Sequence, residues 1–115
     1  MKGILIWLFS KGTPSVVAYV AAGLTMALGD DPLSPPFEKL AADIAINTIS
    51  PFAAAQEAVK GFAELPSGAS KTFIQIGNAL NRMVLPALIT LGVGKSATAH
   101  TIACCAEGYK DKGYQ

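Results

Sequence analysis

Apolar residues gather toward the two ends of the chain, while the middle alternates apolar and polar positions at helical spacing. From Gly12 to Gly29 the chain carries no charge, and Asp30-Asp31 follows at once. As a helix this run is about 27 Å long, close to the hydrocarbon thickness of a bilayer. Thr13-Pro14 reads as its start, with threonine as N-cap and proline at the first helical position. Ser34-Pro35-Pro36 opens a second helix, on which Phe37, Leu40, Ala41, Ile44 and Thr48 share one face. Ser50-Pro51 restarts a helix with the stripe Phe52, Ala55, Val59 and Phe62, and Leu65-Pro66-Ser67-Gly68 ends it. A further helix is expected from Ser70, with Phe73, Ile76, Gly77, Leu80 and Val84 on a face. From Met83 to Leu91 the pattern is apolar all round, and Pro86 would kink it. Gly92 and Gly94 are expected to break that helix, with Ser96 or Thr98 capping the last one, which stops at Gly108. The final YKDKGYQ reads as a polar tail, with Tyr109 and Tyr114 suited to a wet boundary.

These elements predict an all-α protein of four to five helices. Two strongly apolar segments flank amphipathic helices, in a chain that is membrane-associated or buried in an oligomeric assembly. One domain covers 1–115: an apolar segment 1–29, amphipathic helices 34–66, apolar helices 70–108 and a polar tail 109–115. Composition strengthens the picture. Hydrophobic residues make up 51% and charged residues 15%, with a mean hydropathy of +0.41. Soluble domains average about 25% charged residues. The net charge of +1 leaves no basic footprint for nucleic acid. Lys11 and Lys95 interrupt the two most apolar regions, which weakens a simple two-span membrane protein. Lys2 before an apolar run also fits a secretory signal, but Lys11 falls inside that run.

Candidate chemistry is sparse. LGVGKSATAH, Leu91 to His100, contains Gly-Lys-Ser, yet the phosphate-binding loop requires glycine at the position held by Ile89. A turn is the simpler reading. His100 is the one histidine, and Cys104-Cys105 are adjacent, which is wrong for a C-x-x-C redox or zinc site. His100 and Cys104 do share a helical face four residues apart, but a nucleophile also needs an orienting group and a cleft. No catalytic residue, cofactor or metal ligand is expected.

The succession VAAGLTMALG, DDP, FEKLAADIAINTIS, PFAAAQEAVKGF, PSGASKTFIQIGNAL and GVGKSATAHTIACCAEGY carries a family resemblance, over roughly Ala21 to Tyr109. It resembles the C-terminal helical module of the large polyvalent and internal virion (ejection) proteins of tailed bacteriophages. The resemblance implies a non-catalytic structural or membrane-conduit component used in DNA ejection, located in a membrane, virion or filament assembly. Its partners would be the lipid bilayer, copies of itself and other assembly subunits, with no sequence-specific nucleic acid and no small-molecule substrate. A pilin-like subunit of a conjugation or secretion filament and a small holin-like membrane protein are the alternatives. The residues expected to make membrane or assembly contacts are Val16, Val17, Val20, Leu24 and Leu28 in the first apolar segment. Phe52, Val59 and Phe62 follow on the amphipathic seam, and Leu85, Leu88, Ile89 and Leu91 in the second apolar segment.

Overall fold

A computed structural model describes residues 4–8 (backbone only), 16–20, 22–29, 31–75 and 83–115. Lys11, the expected helix start at Thr13-Pro14, and the face residues Ile76, Gly77 and Leu80 lie outside the described residues. The elements, in order, are strand β1 (Ile4–Leu8), strand β2 (Val16–Val20), helix α1 (Phe37–Ile44), a π-helical turn (Ala45–Ile49) and helix α2 (Ser50–Phe62). Strand β3 (Thr72–Gln75), a 3-10 turn (Pro86–Leu88), helix α3 (Ile89–Gly108) and a second 3-10 turn (Lys110–Lys112) complete the series.

The chain is therefore a mixed α/β structure, and the all-α expectation is corrected at two places. Val16-Val17-Ala18-Tyr19-Val20 is rich in β-branched and aromatic residues, whose side chains suit a pleated surface better than a helix. It forms β2 with Val17 and Tyr19 buried in alternation, where a membrane helix was expected. Thr72-Phe73-Ile74-Gln75 likewise forms β3 at the expected start of the third helix. The sheet runs β1-β2-β3. β1 pairs antiparallel with β2, Ile4 opposite Val20, and β2 pairs parallel with β3, Val16 opposite Thr72. Parallel neighbours need a long crossover, and α1, the π turn and α2 supply it.

The outer edge of β3 is also engaged. The Gln115 N–H donates to the Lys71 carbonyl (2.8 Å), and the Phe73 N–H donates to the Gln115 carbonyl (2.7 Å). That two-residue stagger about Thr72 is the parallel ladder pattern. The tail thus packs into the structure and does not project as a polar end. Tyr114 stacks edge-on against Phe62, with centroids 5.4 Å apart, and Tyr109 packs on Tyr114.

The core lies between the sheet and α2. Val17, Ala58 and Phe62 form its centre, with Leu65, Phe73 and Tyr114 around them, and Tyr19 and Ala54 extend it beside Ile46. Beyond α2, the Lys71 ammonium donates to the Pro66 carbonyl (3.0 Å) and holds the turn into β3. Asp31 does not end a membrane helix. Its carboxylate accepts the Leu33 N–H (3.0 Å), fixing a tight turn before α1. Among the described residues, no helix is long and apolar enough to cross a membrane.

Candidate functional site

Helices α1 and α2 with the π turn between them make one rod, 37–62, and its buried stripe is Asp43, Asn47, Pro51, Ala54, Ala58 and Phe62. The spacing is helical, but the first two members are polar. Asn47 is 0% exposed, so its amide must be satisfied inside the protein. It is. The side-chain amide accepts the Gly23 N–H (3.0 Å) and donates to the Gly23 carbonyl (2.7 Å), as a strand partner would. Asn47 thereby pins the segment that leaves β2.

Pro51 explains how Asn47 also reaches α3. A proline has no N–H to give the carbonyl four residues earlier, which here is that of Asn47. The Thr98 hydroxyl of α3 donates to that carbonyl instead. The π-helical turn sits at the same place, in keeping with the tendency of such wide turns to occur at functional sites. On the facing side Thr48 donates to the Gly94 carbonyl (3.0 Å). A Cβ added at Gly94 would lie 2.4 Å from the Asn47 Cβ. The close approach of α3 to the rod therefore demands glycine there.

Above this seam the segment 22–28, which follows β2, runs beside the residues that lead into α3. Ala27 N–H donates to the Ala87 carbonyl (2.9 Å). Thr25 N–H donates to the Thr90 hydroxyl (3.1 Å), and the Thr25 hydroxyl donates to the Asp43 carboxylate (2.7 Å). All of these groups lie beyond the carboxyl ends of the parallel strands, where open α/β sheets bind their ligands. One residue past Gly94 is Lys95, only 5% exposed. Burial disfavours its charged form and lowers the ammonium pKa below the ordinary lysine value. On the other face of α3, away from the seam, an open apolar cavity of about 510 Å³ is lined by Pro32, Met83, Leu85, Leu88, Ile89 and Val93, among others.

The tempting glycine-lysine stretch is thus neither a phosphate loop nor a turn. Gly92-Val93-Gly94-Lys95 lies inside α3, and neither glycine breaks the helix. Of the residues expected to make membrane or assembly contacts, Val17 and Phe62 meet in the core. Val16 and Val20 are half-buried in β2, and Leu88, Ile89 and Leu91 half-buried before and in α3. Val59 is half-buried on α2. Leu24, Leu28, Phe52 and Leu85 are exposed, Leu28 to 77%. The structure gathers Leu85, Leu88 and Ile89 in the cavity wall and does not unite the remainder in one surface. Asp43 and Asn47 go unnoticed by a reading that follows apolar stripes, and Gly94, Lys95 and Thr98 enter it only as a helix breaker, an interruption of an apolar run and a cap. The detectable signal was the four-residue spacing of Asp43, Asn47 and Pro51.

No family model matches the chain. It is 44% identical over 118 aligned positions to the curated short chain dehydrogenase/reductase dmxR12 of Cryptosporiopsis sp. (strain 8999), an alignment covering 90% of this chain and 47% of the relative. The likeness is to reductases. The chain spans about half the length of the curated relative it matches. Among solved structures it is similar to the angucycline C-6 ketoreductase LanV with bound NADP, with a TM-score of 0.71 at 20% identity over 86% of this chain and 35% of that one. It is also similar to the promiscuous reductase LugOII, which catalyses keto-reduction at C1 during lugdunomycin biosynthesis (TM-score 0.73, 24% identity, 90% of this chain and 40% of that one). LanV with NADP and rabelomycin matches too (TM-score 0.62, 24% identity, 76% and 34%). At these identities the structural likenesses show the fold alone.

These findings overturn the bacteriophage resemblance, and with it the structural or conduit role, the virion, filament or membrane location and the keywords drawn from DNA ejection. The non-catalytic expectation is overturned by the same relatives, which are reductases. The expected partners, bilayer and assembly subunits with no small-molecule substrate, are corrected likewise, because matched structures hold NADP and, in one case, rabelomycin. The physical source of the error is clear. An alanine-rich, weakly charged chain was read as facing lipid, whereas such a composition equally suits helices packed on a sheet.

Proposed function

We propose that this chain is part of an NADP-dependent short-chain reductase that reduces the carbonyl group of an apolar ketone. The observation that carries this reading is the 44% identity over 118 aligned positions to a curated short chain dehydrogenase/reductase. The ketoreductase-like fold supports it. Because the chain spans about half of that relative, the activity is assigned to the whole protein, of which 1–115 is read as one unit.

The site has the features this chemistry needs. Ketone reduction puts negative charge on the carbonyl oxygen as hydride reaches the carbon, and a proton must follow. A nicotinamide cofactor, when bound, would supply the hydride. Lys95 would supply a cation in a poorly hydrated seam, where a charge acts more strongly on a developing oxyanion than it does in water. Its lowered pKa also brings the ammonium closer to a useful proton donor. Lys95 is the residue that would meet the cofactor, while Gly23 lets the segment after β2 pack closely on the rod. A Cβ there would stand 3.2 Å from Asp43 and Ile46 atoms. Asn47 holds Gly23 and the neighbouring helix in place and is a positioning residue.

An apolar ketone is in keeping with the rabelomycin bound to LanV. The exposed Leu24, Leu28 and Phe52 are read as contacts with the remainder of the fold, in place of lipid. The test is NADPH oxidation, with a panel of apolar polycyclic ketones, by the full-length protein carrying this chain. Lys95→Met is expected to lower kcat by about 10²–10³, the scale of a lost oxyanion donor, with the circular dichroism unchanged. Wild-type protein that neither binds NADPH nor consumes it with any ketone would overturn the reading.

A further inference from the structure

The segment 22–28, which follows β2, is pinned at every second residue. The Asn47 amide bonds both backbone groups of Gly23 (3.0 and 2.7 Å). The Thr90 hydroxyl accepts the Thr25 N–H (3.1 Å) and donates to the Thr25 carbonyl (3.4 Å). Ala27 N–H reaches the Ala87 carbonyl (2.9 Å). Three separate stretches of the chain thus hold this short run, the rod, the start of α3 and the turn before it.

Burial along the run alternates with the same period. Gly23 and Ala27 are buried and Thr25 is half-buried, while Leu24, Met26 and Leu28 are exposed. A period of two is that of an extended chain, whose successive side chains turn to opposite faces. The inward face meets Asp43: a Cβ on Gly23 would stand 3.2 Å from it, and the Thr25 hydroxyl donates to its carboxylate (2.7 Å). Met26, 59% exposed, therefore turns away from the rod. With Leu24 and Leu28 covered by the remainder of the fold, it is the apolar side chain left open between them.

The place gives this residue its use. The run leaves β2 beyond the carboxyl ends of the parallel strands, where ligands of such sheets bind. The Asn47 that holds it also packs against Gly94, the neighbour of Lys95. A fixed backbone under a contact side chain is what a selective site requires. Methionine adds a flexible, polarisable thioether that packs well against aromatic rings.

We propose that Met26 contacts the body of the ketone and sets a preference for substrates whose carbonyl is carried on an aromatic ring system. The inference rests on the reductase reading and deepens it.

The experiment is steady-state kinetics of the full-length protein with NADPH and the polycyclic ketones, beside NADPH binding measured without ketone. Met26→Ala should raise KM for the polycyclic ketones by at least about tenfold, the scale of lost apolar contact in a substrate pocket. Its NADPH affinity and circular dichroism should match the wild type. Met26→Leu, which keeps the apolar volume, should restore most of the loss. Phe37→Ala, at another exposed apolar residue, on α1, should leave KM unchanged. An unchanged KM in Met26→Ala overturns the proposal, as does an equal rise in Phe37→Ala or a matching loss of NADPH affinity. Wild-type protein inactive with every ketone would overturn the reductase reading and this inference together. An active wild type with an unshifted KM in Met26→Ala overturns this inference alone.

Discussion

The two halves of the rod 37–62 bury the same stripe in opposite ways. From Ala54 to Phe62 the inward positions are apolar and pack on Val17 and Phe73 of the sheet. From Asp43 to Asn47 they are polar, and each is satisfied by hydrogen bonds to Thr25 or Gly23. The apolar half gains stability from area removed from water, which tolerates small shifts. The polar half depends on donors and acceptors meeting at fixed distances, which does not. One half anchors the rod, and the other aligns β2, the rod and α3 at the carboxyl ends of the strands.

This contrast can be broken from either side. Phe62→Ala should have the largest effect, destabilising the protein by about 3–5 kcal/mol in urea unfolding, because it empties the centre of the apolar seam. Asn47→Ala should cost about 1–3 kcal/mol for leaving the Gly23 amide and carbonyl unpaired in a buried setting. In the proposed full-length reductase it should also impair turnover more than its stability loss explains. A variant as stable as wild type would show that the polar seam contributes no structure.

Gly94→Ala sharpens the comparison. Alanine normally favours a helix by about 1 kcal/mol over glycine, but here its Cβ would collide with Asn47. A net loss of about 1–2 kcal/mol is expected once overpacking is set against propensity. The same change at Gly108, with nothing within 4 Å, should be neutral or stabilising by a few tenths of a kcal/mol. Equal responses at the two glycines would remove the argument for close approach.

Lys95 gives the pH test. Its folded pKa lies below the ordinary value of 10.5, so between those two values the unfolded chain binds more protons than the folded one. Stability should therefore rise as pH increases through that window, and the burial penalty is fully present below the folded pKa. Lys95→Met should flatten the rise, measured as the difference between the two unfolding curves from neutral pH to above 10.5. A parallel pair of curves would show that burial does not perturb this ammonium.

Particular residues show how much was legible beforehand. The two ends of the rod were visible, because Ser34-Pro35-Pro36 before it and Leu65-Pro66-Ser67-Gly68 after it are strong local punctuation, whereas Ser50-Pro51 suggested a break where the helix continues. The end of α3 at Gly108 was visible for a similar reason. The face differs: Phe37, placed on the shared apolar face, is 79% exposed, while Asp43 and Asn47 are inside. Hydrophobicity ranks residues by their cost of burial alone, and that cost changes once a partner from a distant segment satisfies the polar atoms. β2 was mistaken because length and lack of charge were weighed above the β-branched run VVAYV.

Local chemistry in the chain by itself determined the helical rod, the proline that interrupts it, the glycine-bounded end of α3 and the low charge of the surface. Those properties depend on residues within a turn or two of one another, so they can be read in order along the chain. The tertiary structure alone decided that Val16–Val20 and Thr72–Gln75 are parallel neighbours. It also decided that Asn47 reads the backbone of Gly23, 24 positions earlier, and that a glycine-lysine pair is the buried heart of a helix. Pairings of that kind are set by which surfaces close on one another, and a buried lysine or asparagine acquires its meaning only from the groups brought to it.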